Sequence, residues 1–212
     1  MLDAELVDPA RSAVLVVDVQ NDYCHPDGAL GKQGLPTGAA MAMIPRLQSF
    51  LDAARASAAR VIFIQTVHTG ETDSPAWVRR SAGISASVCR ADTWGAQFTG
   101  VEPGARDIVV IKHRYSAFVN TRLDTVLRTF RIENVIMTGV STNVCVESTA
   151  RDAYMRDYNM TFVSDCTAAY SQEDHDATLR TMARNFGTVA TAAAITAAWE
   201  PAASARSIRA LG

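Results

Sequence analysis

Three residues with chemically active side chains stand at the ends of short apolar runs: Asp18 after AVLVV, Lys112 after DIVVI, and Cys145 just after NVIMTGVSTN. A carboxylate, an ammonium and a thiol are the parts of a site built around a sulfur nucleophile. The carboxylate accepts the thiol proton, the thiolate attacks an electrophilic carbon, and the ammonium steadies both anions. Each residue also has an ordinary structural reading. Asp18 can close a turn, Lys112 can reach solvent from a strand end, and free cysteine is among the most buried and inert of residue types. The chemical reading requires the fold to bring all three together from distant parts of the chain.

The pattern of the chain predicts such a fold. Apolar, β-branched runs without polar alternation recur at 13–17, 60–66, 107–111, 134–138 and 160–164, with a weaker one at 188–191. Runs of this kind are strands buried on both faces of a parallel sheet, and the segments between them are long enough for right-handed helical crossovers. Helices are expected over 38–57, 121–130, 144–158 and 173–186, with Thr121 and Ser171 at N-cap positions and an alanine-rich final helix after 190. The expectation is an α/β chain, one domain over 1–212, with a doubly wound (Rossmann-like) parallel sheet of about six strands and helices on both faces. Such sheets bind ligands beyond the carboxyl ends of their strands, which places Asp18, Lys112 and Cys145 on one rim. The sulfur is expected in the first turn of a helix, where the dipole and free N–H groups favour a thiolate. The stretch 68–104 has no clear periodicity and reads as a functional loop or lid carrying Trp77 and Trp94.

Composition narrows the partner. The 212 residues are 48% hydrophobic with a formal net charge of -2, and no basic stripe or acidic tail points to nucleic acid or a membrane surface. A small neutral or weakly charged ligand fits better. No apolar run approaches the roughly 20 residues that span a bilayer, and the N-terminus lacks the order of a signal peptide, so a cytoplasmic protein is expected. Cys24, Cys89, Cys145 and Cys166 show neither CxxC spacing nor disulfide-scaffold density, so reduced thiols are expected.

Taken in order, VVDVQNDY, VIKHRYSAF and TGVSTNVCVESTARDA, together with DTWGAQF at 92–98, resemble the isochorismatase-like cysteine hydrolase superfamily. The resemblance runs from Ser12 to about Ala198. It implies the fold already expected and maps the family's catalytic Asp, Lys and Cys onto Asp18, Lys112 and Cys145. It also implies an oxyanion hole from the backbone N–H groups of Ser141 and Cys145, and a cis peptide between Val140 and Ser141. The segments KHRYSAFVNTRLDTVLR and TGVSTNVCVESTARDAY are most similar to the ureide branch, which includes ureidoacrylate, biuret and triuret hydrolases and N-carbamoylsarcosine amidohydrolases. The implied reaction cleaves the C–N bond of a small ureide or amide through a thioester, releasing ammonia or carbamate. Nicotinamide or maleamate as substrate, or a silent binding scaffold, are the other readings. The nicotinamidase branch carries an Asp-x-His metal site after its second strand; QTVHTGETD offers only His68 there, so no metal and no cofactor is expected. The resemblance further implies a homodimer or homotetramer.

Substrate contacts are expected from Tyr23, which maps to an aromatic wall of the family's pocket, from Tyr115, and from Gln65 and His68, where the ureide branch places such contacts. His68 does not match that branch's usual residue. Each also has a packing role available to it. Trp77 can close over substrate or fill a subunit interface. Gln172 reads as a helix-entry residue, His25, His113 and His175 as surface or helix-packing residues, and Cys24 as the one rival thiol.

Overall fold

Valine, isoleucine and leucine runs with no polar alternation have no face to give to water, so they stack side by side beneath helices on both sides. The computed structural model describes residues 2–80 and 86–209. In chain order its main elements are β1 (Ser12–Val17), α1 (Asn21–Cys24), α2 (Ala29–Lys32), α3 (Gly38–Ser57), β2 (Arg60–Thr66), α4 (Pro75–Arg80) and β3 (Ile108–Lys112), followed by α5 (Leu123–Thr129), β4 (Asn134–Val140), α6 (Glu147–Tyr154), β5 (Asn159–Ala168), α7 (Gln172–Asn185), β6 (Gly187–Ala190) and α8 (Ala192–Arg209). The six strands are all parallel, in the order β3-β2-β1-β4-β5-β6. Strand order reverses between β1 and β4, which opens a crevice there.

Alternate residues of the same strands feed two cores. Val14, Val16, Phe63 and Ile136 pack with Leu47, Phe50 and Leu51 of α3 and with Ile195 and Trp199 of α8. Ala13, Leu15, Val17, Ile62, Ile64 and Met137 pack on the other side with Leu123 and Leu127 of α5, Ala150 and Ala153 of α6, and Met182 of α7. Full burial of a side chain such as Leu15 or Leu127 contributes about 1.5–3 kcal/mol. These cores hold the strand ends in place. At the crevice, Gly139 has φ 103° and a Cβ there would lie 2.1 Å from the Val17 carbonyl oxygen, so only glycine lets β4 pass that close to β1.

The structure adjusts several boundaries. β3 ends at Lys112, so the lysine is the last residue of the strand and not the first beyond it. β4 and β5 run on to Val140 and Ala168, because a register irregularity after Met137 lets Gly139 and Val140 pair with Thr167 and Ala168. The helix expected over 121–130 is shorter and has Arg122 at its N-cap position, although the Thr121 hydroxyl still accepts the Leu123 N–H at 3.1 Å. Ser171 caps α7 as expected, accepting from the Asp174 N–H. The helix expected from 144 begins at Glu147, and a π-helical turn, Thr142–Val146, precedes it. Cys145 therefore sits on a wide turn and not in the first turn of an α-helix. Among the described residues no helix is long and apolar enough to cross a membrane.

Candidate active site

Asp18 directly follows β1, at φ 53°, in the left-handed region that aspartate tolerates better than most residues. Its backbone N–H donates to the Ile64 carbonyl at 3.0 Å, which holds the turn against β2. Thr66 ends β2 and lies in register with Lys112 at the end of β3. Because β2 runs between β1 and β3, the Lys112 side chain must cross Thr66 to reach Asp18. It does so through a closed set of contacts. The Thr66 hydroxyl donates to Asp18 Oδ1 at 2.8 Å and accepts from Lys112 Nζ at 2.8 Å. Lys112 Nζ lies 2.7 Å from Asp18 Oδ2, donates to the Arg114 carbonyl at 3.0 Å, and lies 3.6 Å from Cys145 Sγ. Both charged side chains are 1% exposed.

Burial of charge on this scale costs several kcal/mol per ion unless the ions are paired and hydrogen-bonded, and here they are. Burial alone would drive the Lys112 ammonium toward the neutral form; Asp18 and Cys145 reverse that and hold its pKa above the ordinary lysine range. Burial pushes the Cys145 thiol well up, Lys112 opposes that, and the negative charge of Asp18 reinforces it. Lys112 is accordingly an ammonium, and Cys145 rests as the thiol. Passing the thiol proton to Asp18 gives carboxylic acid, ammonium and thiolate, with the same net charge. Thiolate formation by this route would add no uncompensated charge to a dry site. The π-turn that carries Cys145 runs straight into α6, so the sulfur lies in the N-terminal turn of the helical segment, where the dipole favours a thiolate.

Cys145 opens on a cavity of about 260 Å³ whose walls include Tyr23, His68, Trp77, Tyr115, Ser141 and Tyr170. Of the residues expected at a substrate, Tyr23, Tyr115 and His68 line it. Gln65 does not; its amide donates to the Ala96 carbonyl at 2.8 Å and ties the 92–98 loop to β2. A cis peptide joins Val140 to Ser141, and Ser141 and Cys145 both line the cavity. The stretch 68–104 supplies His68, Trp77 and Val88 to the walls; it contains α4 and a 3-10 turn, Trp94–Ala96, and residues 81–85 lie outside those described. Trp94 is half-exposed and packs edge-on to His25, outside the cavity walls. Trp77 packs against both His68 and Tyr115, with ring centroids 5.4 and 5.0 Å apart.

Two polar atoms in this aromatic wall have no hydrogen-bond partner among the described residues: His68 Nδ1 and Trp77 Nε1. Burial lowers the His68 pKa to about 4, so the ring is neutral at physiological pH. The remaining thiols are also buried: Cys24 and Cys166 are pushed up to about 12 and Cys89 well above its ordinary value. None of these three is among the cavity's lining residues, and Cys145 alone of the four has Lys112 within hydrogen-bond reach. His113 bonds the Val67 carbonyl, and Gln172 bonds Asp176. Among the described residues no three His, Cys, Asp or Glu side chains gather as a metal site.

The residues that sequence reasoning missed are Thr66, Asp22 and Tyr170. Buried Asp22 accepts from the N–H groups of Cys89 and Ala29, at 2.6 and 2.8 Å, and so pins the lid stretch to α2. Tyr170 lines the cavity and donates its hydroxyl to the Tyr23 carbonyl at 2.8 Å.

This geometry has counterparts among known proteins. The chain matches the model of the isochorismatase domain over residues 12–194. It is 35% identical to the ureidoacrylate amidohydrolase RutB of Methylobacterium radiotolerans over 208 residues, covering 91% of this chain and 81% of that one. Its structure resembles a cysteine hydrolase from Pseudomonas syringae pv. phaseolicola, with a TM-score of 0.84, 31% identity and coverage of 92% and 94% of the two chains. It also resembles the N-carbamoylsarcosine amidase of Thermoplasma acidophilum, with a TM-score of 0.73, 28% identity and coverage of 86% and 96%. With the family model spanning all six strands and all three site residues, the chain belongs to the isochorismatase family.

Proposed function

We propose that this chain is an amidohydrolase that cleaves the C–N bond of a small ureide or amide through a thioester on Cys145. The observation that carries the reading is the buried, mutually hydrogen-bonded set of Asp18, Thr66 and Lys112 against a thiol that opens on a small cavity. Asp18 takes the thiol proton as the sulfur attacks the carbonyl carbon. The tetrahedral oxyanion is met by the backbone N–H groups of Ser141 and Cys145, donors that act most strongly where water is excluded. Collapse breaks the C–N bond, and the proton held on Asp18 leaves with the nitrogen. Asp18 then accepts a proton from water, which attacks the thioester carbon; the C–S bond breaks and the sulfur takes that proton back from Asp18, restoring the thiol and the carboxylate. Lys112 keeps its proton throughout, and its charge stabilises the thiolate.

Two features support a ureide within that class. A ureide presents N–H donors and a carbonyl acceptor close together, and the wall holds neutral His68 and Trp77, whose Nδ1 and Nε1 have no hydrogen-bond partner among the described residues. The relatives named above are a ureidoacrylate amidohydrolase and an N-carbamoylsarcosine amidase. The test is ammonia release from biuret, triuret, ureidoacrylate analogues, N-carbamoyl amino acids, maleamate and nicotinamide. Turnover of a ureide above the other amides supports the reading; selective turnover of nicotinamide or maleamate, or of none, overturns it.

A further inference from the structure

The turn that carries Cys145 is a single π-helical turn, Thr142–Val146, a rare geometry that recurs at functional sites. Residues of another helix hold it. That support comes from α7 and acts at both ends of the turn. At its start, His175 Nδ1 lies 2.9 Å from the Thr142 hydroxyl, on a residue that is completely buried. Just past its end, the Thr178 hydroxyl donates to Glu147 Oε2 at 2.9 Å, and Glu147 is held from the other side by Arg151. His175 and Thr178 are three residues apart on one helix and so share a face.

We infer that His175 is a positioning residue for the nucleophile: with Thr178 it clamps the π-turn so that Cys145 Sγ stays beside Lys112 and Asp18. This rests on the assignment of Cys145 as nucleophile made above. Burial holds the His175 pKa below the ordinary range, and a neutral imidazole has one donor and one acceptor, so Nδ1 can pair with the Thr142 hydroxyl in either tautomer. The ring thus ties the nucleophile turn to α7, a role invisible in a histidine with no catalytic partner nearby in sequence.

The test uses the whole chain and a readout that needs no substrate. Cys145 is alkylated with iodoacetamide at a fixed pH of about 8, with peptide mapping to separate it from the other thiols. In His175→Leu the sulfur drifts from Lys112, and losing about one pKa unit of thiolate stabilisation slows Cys145 alkylation about tenfold. On a hydrolysed ureide, kcat falls at least as far while KM stays within about twofold. Thr142→Val should reproduce the loss, and the double variant should be no worse than the larger single effect, as for two ends of one contact. His175→Asn, whose side-chain oxygen can accept the Thr142 hydroxyl, should restore most of the rate. Alkylation that is unchanged or faster in His175→Leu, as simple loosening of packing would give, overturns the clamp; so do additive effects in the double variant. A parent enzyme that hydrolyses no ureide overturns the substrate assignment and leaves the alkylation result to decide the clamp.

Discussion

Replacing Thr66 by valine keeps the shape of the side chain and removes one hydroxyl from the centre of the site. That hydroxyl makes two hydrogen bonds of 2.8 Å, one to Asp18 Oδ1 and one from Lys112 Nζ. Hydrogen bonds to charged groups contribute about 1.5–3 kcal/mol each, and deletion leaves a buried carboxylate oxygen without a partner. Lys112 keeps its direct contact with Asp18 Oδ2 and its bond to the Arg114 carbonyl, so the lower end applies to both lost bonds. The expected destabilisation is about 3 kcal/mol, a Tm decrease of about 6–12 °C for a chain of this size. If half of that also appears as misplacement of Asp18 and Lys112 in the transition state, kcat falls about tenfold. Thr66→Ser keeps the hydroxyl and should retain most of the activity and stability. Thermal unfolding and coupled ammonia release measure both quantities. A Thr66→Val variant within about twofold of the parent kcat and within about 2 °C of its Tm would refute the bridging role.

Cys145→Ser should keep the fold and lose nearly all turnover, because a serine hydroxyl is far less acidic than a thiol; activity within tenfold of the parent in the ammonia assay would contradict it. Lys112→Arg keeps the charge on a planar fork of different reach and should lower kcat by about 10² or more, with Lys112→Ala worse. Lys112 pulls the Cys145 pKa down, so any residual Lys112→Ala activity should have its kcat/KM profile displaced to higher pH, and an unshifted profile would count against the electrostatic role. His68 titrates near 4 in the folded chain against about 6.5 unfolded, so the unfolded state binds the extra proton first. Its contribution to stability is complete above about pH 6.5 and is lost as pH falls toward 4; Tm against pH should show that slope in the parent and lose part of it in His68→Gln. Trp77→Phe removes the unpartnered Nε1 donor and should raise KM by about 3- to 10-fold with a smaller change in kcat, read from initial rates.

The parts of the site that were legible in the sequence are those whose position follows from strand periodicity. Asp18 and Lys112 stand at the ends of uninterrupted apolar runs, and a parallel sheet can only bring such ends to one edge. Cys145 was legible because it stands just after such a run, at the expected start of a helix, in the motif TGVSTNVCVESTARDA that carries the family resemblance. Thr66 was not. A β-branched residue closing a strand is the ordinary product of strand propensity, and its chemistry comes from partners on two other strands. Gln65 was misplaced for a related reason: residues 65 and 66 alternate across the sheet, and only the second faces Asp18 and Lys112, while the first spends its amide on Ala96. The π-turn was hidden because Val144 to Tyr158 carries an unbroken helical pattern, and the wide turn is imposed from outside by α7. Asp22 gave no signal either, since what it binds are backbone N–H groups, which no residue type reveals.

The central claim is that Cys145 carries the substrate's acyl group during turnover. Acid quenching of the enzyme during a single turnover of a hydrolysed ureide, followed by peptide mapping by mass spectrometry, tests it directly. The account predicts a transient carbamoyl- or acyl-sized mass on the peptide containing Cys145 that rises and decays as ammonia appears. The same mass on Lys112 or another residue, or a full time course of ammonia release with Cys145 unmodified throughout, would contradict it.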